Sequence, residues 1–248
     1  MALQAFFAEN PKIAIAFSGG VDSAYLLYAA KKWEAEICAY YVKTPFQPQF
    51  ELDDGMRLAK ILDVPVKIIS VDILADPVIA ANPENRCYFC KKRLFTAILQ
   101  QAKQDGFPLV VDGTNFSDDA LDRPGMKALK ELGIRSPLRE ARLTKEEIRH
   151  LSKKAGLFTH DKPAYACLAT RFPKNMPITE ASLARVERSE DYLKNLGFSD
   201  FRVRLTENGA KLQLREDDFP RLLQHREQIL KKLKQDHDGV LLDLEVRK

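Results

Sequence analysis

The chain has no apolar run approaching the roughly 18–20 residues that cross a bilayer, which excludes a membrane-spanning helix within it. Its opening stretch, MALQAFFAENPK, carries neither a basic leader nor a full apolar core, which predicts no signal peptide and a cytoplasmic protein. One-signed charge is also missing. A formal +4 leaves room for an anionic ligand but lacks the strong basic footprint of a nucleic-acid binder. No internal repeat or low-complexity tract occurs. There is no Walker A loop and no GxGxxG. Cysteine is scarce, with four in 248 residues, and in a cytoplasmic setting these are thiols or metal ligands, not disulfides.

What is present is ordinary for a folded protein with a real core: 45% hydrophobic and 30% charged residues. The length fits one large domain and a smaller one. Between residues 11 and 160 short apolar runs alternate with helical periodicity. Strands are predicted at 12–17, 36–42, 65–71 and 108–113, and helices at 22–33, 49–62, 88–104 and 143–156. That alternation predicts an α/β, Rossmann-like domain with a mostly parallel sheet covered on both faces. In LTKEEIRHLSKKAG a threonine cap, a glutamate three residues on and a closing glycine mark both helix ends. The texture changes after KPAYACLATRFPKNMPIT (162–179). A long helix (180–196), two alternating strands around Asn-Gly, a helix (218–235) and a last strand (239–246) then predict a small α+β domain. The expected boundaries are 1–172 and 173–248.

The stretch FSGGVDS (17–23) sits where the first strand meets the first helix. Glycines there let backbone N–H groups approach an anion, and the helix dipole adds positive potential. Ser-Gly-Gly alone is equally an ordinary tight strand-to-helix turn; the full SGGVDS in this context is far more specific. It resembles the pyrophosphate-binding loop of the PP-loop ATP pyrophosphatase superfamily, whose members cleave ATP between the α- and β-phosphates. The resemblance implies that Ser18, Gly19, Gly20 and Ser23 cradle phosphates and that Asp22 stands near Mg2+. Asp112 follows an apolar strand and so falls at the carboxyl end of the sheet, where ligands bind in such folds; it joins the ATP-binding candidates. Residues 117–119 (Ser-Asp-Asp) and Asp122 read as loop solvation.

DGTNFSDDALDRPGMKALKELGIRSPL (112–138), LTKEEIR and KPAYACLATRFP (162–173), in that order, resemble the LarE-type sulfur transferases. The likeness runs from about residue 11 to the end. It implies ATP-dependent adenylation of the carboxylates of a pyridinium biscarboxylic acid mononucleotide, then conversion to thiocarboxylates during synthesis of the nickel-pincer nucleotide. One variety of that family sacrifices its own cysteine. Another holds a [4Fe-4S] cluster on three cysteines, the pattern that Cys87, Cys90 and Cys167 match, with an open iron for exogenous sulfide.

Residue by residue, the cysteines leave alternatives open. In NRCYFCKKRLF the pair Cys87 and Cys90 falls at a helix start, where the dipole favours thiolates. With Cys167 and His160 they would make a closed zinc site; without metal they would be a redox or persulfide pair. Cys38, inside EICAYYV, reads as a small core residue. In FRVRL, Arg202 and Arg204 share one strand face. They suit a phosphate or carboxylate, and equally a solvated ion-paired face. Arg171, four residues after Cys167, is placed to meet an anionic adenylate. The resemblance adds Glu190, an acidic position in the long C-terminal helix.

The candidate catalytic set is thus Cys167, Asp22, Arg171 and Glu190, and the substrate-binding set is Arg171, Arg202 and Arg204. The expected cofactors are ATP, Mg2+ and a [4Fe-4S] cluster. The expected partners are a small-molecule mononucleotide, a sulfide source and, as the family resemblance implies, further copies of the chain, with no membrane and no nucleic acid. Two other readings fit SGGVDS. A PP-loop tRNA thiolase calls for an added RNA-binding module or a strongly basic surface, and a regulatory protein would hold nucleotide without turnover.

Overall fold

A computed structural model of the chain describes residues 2–118 and 124–247. Its elements in chain order begin with α1 (Ala2–Glu9), β1 (Lys12–Ala16), α2 (Val21–Lys32), β2 (Glu36–Lys43), α3 (Gln49–Leu62) and β3 (Val66–Ser70). Next come α4 (Pro77–Ala80), α5 (Arg86–Gln104), β4 (Val110–Val111), α6 (Pro124–Glu131), α7 (Pro137–Glu140) and α8 (Lys145–Lys154). The chain ends with α9 (Glu180–Asn195), β5 (Arg202–Thr206), β6 (Gly209–Gln213), α10 (Phe219–Gln224), α11 (Arg226–Leu233) and β7 (Val240–Leu242). These divide between two compact units, one of Met1–Ile73 with Asn85–Tyr165 and one of Leu74–Glu84 with Ala166–Lys248. The boundary expected near residue 172 therefore falls between Tyr165 and Ala166, and an internal segment joins the second unit.

The first unit is built on a parallel sheet in the order β3-β2-β1-β4. Parallel strands buried on both faces carry continuous apolar sequence, and the two central strands do so. Ile13, Ile15, Ala39 and Tyr41 join one core with Phe7, Leu26, Leu27, Leu138 and Ile148. The alternate residues Ala14, Cys38 and Tyr40 join the other, against Phe95, Ile98 and Leu129. Cys38 is thus a core residue. Of the stretch 108–113 only Val110–Val111 pairs as strand, at the sheet edge, where the chain around Arg135 adds one further bridge. From β1 the crossovers run outward to β2 and β3, then back past β1 to β4. The carboxyl ends of β1 and β4 flank this topological switch point, the usual ligand crevice of open α/β sheets.

In the second unit β5 pairs antiparallel with β6, and β6 pairs parallel with β7. They cover a core of Leu193, Phe198, Val203, Leu212, Leu214 and Ile229. The turn residues of the hairpin are Glu207 and Asn208, one place earlier than Asn-Gly predicts. Gly209 instead heads β6 at φ 126°, where a Cβ would lie 2.1 Å from the Gly239 carbonyl oxygen. Its glycine serves the close passage of the chain entering β7. The predicted helix 218–235 is two shorter helices meeting at His225, and the final strand is shorter than 239–246. The segment Leu74–Glu84 is held to the 173–178 stretch by three bonds. Asn175 N donates to Asn82 O at 2.8 Å, Ile178 N to Ala80 O at 2.7 Å, and Asn82 Nδ2 to Pro173 O at 2.7 Å.

Helix α8 has both predicted ends. Thr144 Oγ1 accepts from Glu147 N, Glu147 Oε2 accepts from Thr144 N at 2.8 Å, and Gly156 lies past the C-terminus at φ 70°. Thr144→Ala removes one half of this reciprocal cap. It is expected to lower stability by about 1 kcal/mol, read as a fall in the urea midpoint at unchanged slope.

Candidate active site

The strand β1 delivers Phe17 and Ser18 to a loop that turns through Gly19 at φ 76°. A Cβ at Gly19 would stand 2.9 Å from the Glu51 carbonyl oxygen on α3. On the other side Gly113, just past β4, lies so close that its Cβ would meet Ser23 N at 2.9 Å. Ser23 Oγ accepts from Ser18 N at 3.3 Å and donates to Gly20 O at 3.1 Å. Gly20 caps α2 with no side-chain hydrogen bond to the first-turn amides. Those amides and the dipole of α2 favour an anion. A cleft of about 320 Å³ opens above it. Its polar end is lined by Ser18, Gly20, Asp22 and Ser23, its apolar wall by Tyr40, Val42, Leu94 and Phe95.

Asp22 projects from the first turn of α2. Its Oδ2 lies 2.5 Å from Lys145 Nζ, while its buried Oδ1 has no hydrogen-bond partner among the described residues. Burial pushes the Asp22 carboxyl above the ordinary carboxylate range; the bond from Lys145 pulls the other way, and Asp118 adds repulsion. A buried carboxylate oxygen without a donor suits a divalent cation. Lys145 was not singled out from the sequence, where LTKEEIR reads as a helix start and as one block of the family resemblance. The signal was there: a lysine in the first turn opposes the helix dipole, and here Asp22 supplies the reason for it. Lys145 is also anchored by its own amide, which donates to Ser117 Oγ at 2.9 Å.

Asp112 lines the same cleft, with both oxygens engaged. Oδ1 accepts from Thr114 N at 3.2 Å and Ser136 Oγ at 2.6 Å, and Oδ2 from Thr114 Oγ1 at 2.5 Å. It thereby shapes the Gly113 turn. Asp119 and Asp122 lie outside the described residues.

In the second unit, Cys167 caps a 3-10 turn, Leu168–Arg171. Arg171 is 1% exposed. Its Nε and Nη2 donate to Glu190 Oε1 and Oε2 at 2.8 and 2.9 Å, and its Nη1 donates to Ala166 O at 2.8 Å. Glu190 Oε1 also accepts from Val203 N at 2.9 Å. Arg204 Nη1 donates to Thr170 O at 2.7 Å. The residues expected to meet an adenylate therefore build the turn that carries Cys167. Arg202 is buried, and burial pushes its guanidinium down to about 10, with Arg171 and Arg247 adding repulsion against Glu190 and Asp200. Arg204 is lowered by burial and by the same two arginines. This crowd of guanidinium groups favours an anion. Arg247, paired with Asp200 at 2.9 Å, was missed because nothing near it in sequence resembles a motif.

Cys87 falls in the first turn of α5 and Cys90 one turn further on, Cys87 exposed and Cys90 half-buried. Arg86 Nη2 approaches Cys87 Sγ at 3.9 Å. None of the four cysteines is in a disulfide. Cys87 and Cys90 belong to the first unit and Cys167 to the second. Among the described residues no three His, Cys, Asp or Glu side chains form a metal-holding group. His160 Nδ1 lies 3.0 Å from Leu157 O.

A glycine loop between β1 and α2, a carboxylate in the first helical turn and a cleft at the switch point define the class: an ATP-using PP-loop enzyme. No family model matches the chain. Comparison with curated proteins is more specific. The chain is 39% identical over 224 residues to an uncharacterized protein of Synechocystis, covering 90% of this chain and 83% of that one. It is 32% identical over 216 residues, 86% of its own length and 78% of the relative's, to the pyridinium-3,5-bisthiocarboxylic acid mononucleotide synthase of Lactiplantibacillus plantarum. The chain belongs to this LarE family and is an ATP-dependent sulfur-transferring enzyme. The tRNA-specific 2-thiouridylase MnmA of Pseudothermotoga lettingae is 29% identical over 188 residues, 61% of this chain and 54% of that one.

Two outcomes follow from the buried charges. At neutral pH the ionised Asp22 costs folding energy, so Asp22→Asn is expected to abolish ATP turnover while its urea midpoint stays equal to or above the wild type's. Glu190→Gln leaves the Arg171 guanidinium buried without its counter-charge. It is expected to cost about 3–5 kcal/mol and to speed hydrogen exchange at the Val203 amide.

Proposed function

We propose that the enzyme adenylates the carboxylates of pyridinium-3,5-biscarboxylic acid mononucleotide and exchanges the activated oxygen for sulfur, in nickel-pincer nucleotide synthesis. One observation carries this reading: in a single cleft the glycine loop at the start of α2 meets Asp22, which has one buried oxygen without a hydrogen-bond partner among the described residues and the other 2.5 Å from the Lys145 ammonium. In the first step a substrate carboxylate oxygen bonds to the α-phosphorus of ATP. The bond from that phosphorus to the oxygen bridging the β-phosphate breaks, and pyrophosphate leaves with the electron pair. The amides of Gly20 and the first turn of α2, with Lys145, hold the departing charge, and Asp22 holds Mg2+. In the second step hydrosulfide adds to the acyl carbon and AMP leaves with its bonding pair; the proton passes to solvent. Arg202 and Arg204 bind the nucleotide's anionic groups. Arg171 and Glu190 serve the second step by fixing the Cys167 turn.

We assign Cys87, Cys90 and Cys167 as ligands of a [4Fe-4S] cluster. The donor chemistry fits: three thiols outside any disulfide, two of them one helical turn apart. When bound, such a cluster supplies an open iron site for exogenous sulfide.

The test is protein purified without oxygen, wild type and Cys167→Ser, mixed with ATP and the biscarboxylate nucleotide. Wild type is expected to release pyrophosphate, form thiocarboxylate and contain iron and acid-labile sulfide. Cys167→Ser is expected to keep pyrophosphate release and lose the rest. Zinc in place of iron would make the site structural. An intact-mass loss of one sulfur after turnover, without metal, would make Cys167 the donor itself. Nucleotide binding with no pyrophosphate release would leave a regulatory binder, and retardation of bulk tRNA would point to a thiolase.

A further inference from the structure

The stretch KPAY, which precedes Cys167, is clamped to the helix that backs the PP-loop. Lys162 Nζ lies 3.2 Å from Glu51 Oε2 and 2.8 Å from Asp54 Oδ2, one turn apart on α3. The Lys162 and Glu51 side chains are only 13% and 10% exposed, so water and salt screen this pair weakly. The lysine also lies 5.8 Å from the centre of the Phe50 ring, and Phe50 meets Tyr165 edge-on at 5.0 Å. A second tether comes from α8. Arg149 Nη1 donates to His160 O at 2.6 Å and Nη2 to Lys162 O at 2.8 Å. The carbonyl of Glu51, the residue Lys162 grips, is the one that leaves no room for a Cβ at Gly19.

One short piece of α3 therefore touches the phosphate loop with its backbone and the Cys167 approach with its side chains. We infer that Lys162, supported by Arg149, is a positioning residue for sulfur transfer: it fixes where the chain that goes on to Cys167 leaves the first unit. The inference rests on the proposed two-step reaction. Lys162 is not among the residues that line the nucleotide cleft, so adenylation is expected to proceed without it. Sulfur transfer needs it, because a misplacement of about 1 Å between reacting groups can cost about 100-fold in rate.

The experiment separates the two half-reactions in wild type, Lys162→Met and Lys162→Arg. Adenylation is read as exchange of labelled pyrophosphate into ATP in the presence of the biscarboxylate nucleotide, and transfer as thiocarboxylate formed with added sulfide. Lys162→Met is expected to leave exchange unchanged and to slow transfer by about 100-fold. Lys162→Arg is expected to recover most of that loss, since a guanidinium reaches both carboxylates. Hydrogen exchange over residues 160–165 is expected to quicken in Lys162→Met and to return towards the wild-type rate in Lys162→Arg. A parallel fall of exchange and transfer, or no fall in either, overturns the inference. So does unaltered hydrogen exchange, whatever the activities. If wild type performs neither half-reaction, the proposed function fails, and the hydrogen-exchange arm alone decides whether the clamp holds the segment.

Discussion

The nucleotide end of the first unit depends on a place where backbones meet with no side chain between them. Gly19 rests on the carbonyl of Glu51, and Gly113 on the amide of Ser23. With a Cβ at either position the loop after β1, the first turn of α2 and the turn after β4 could not share one crevice. That closeness lets amide dipoles converge, and convergent dipoles in a partly buried cleft hold an anion more firmly than flexible lysines in water. Asp22 then adds a negative group to a preformed concavity, with Lys145 paired to it.

The second unit works by a different economy. Its central feature is a fork-to-fork pair, Arg171 with Glu190, buried and extended by the Val203 amide and the Ala166 carbonyl. Such pairs are weak sources of stability, since desolvation offsets their attraction. Their value is geometric: each bond has one direction, so the turn at Cys167 has one arrangement. Arg204 adds a further bond to the same turn through Thr170. The neighbouring arginines repel one another, and burial together with that repulsion holds Arg202 and Arg204 below the ordinary guanidinium range.

Much of this could be read directly from the chain. Strand–helix alternation, SGGVDS and the Thr144 cap are local patterns whose causes lie within a few residues, and β1, α2, α8 and the PP-loop follow them closely. Other features are settled by partners far away in sequence. Gly209 looks like half of a turn but is claimed by Gly239. Lys145 looks like a solvated helix residue but is claimed by Asp22, and Glu190 looks like one charge on a charged helix but is claimed by Arg171. Helix α1 passed unremarked because Leu3, Phe6 and Phe7 acquire their meaning only against the core they cover. The short strand Val110–Val111 lost residues because edge pairing ends where Asp112 begins to bind its own loop.

The placement of Leu74–Glu84 bears on how the molecule is made. These residues lie between β3 and α5, elements of the first unit, yet their hydrogen-bond partners at Pro173, Asn175 and Ile178 are synthesised long after them. During translation the first unit can close while this segment, with its buried Ile79 and Asn82, waits for the rest of its own domain. The two units are interleaved in the gene and in time, and no single cut in the chain separates them.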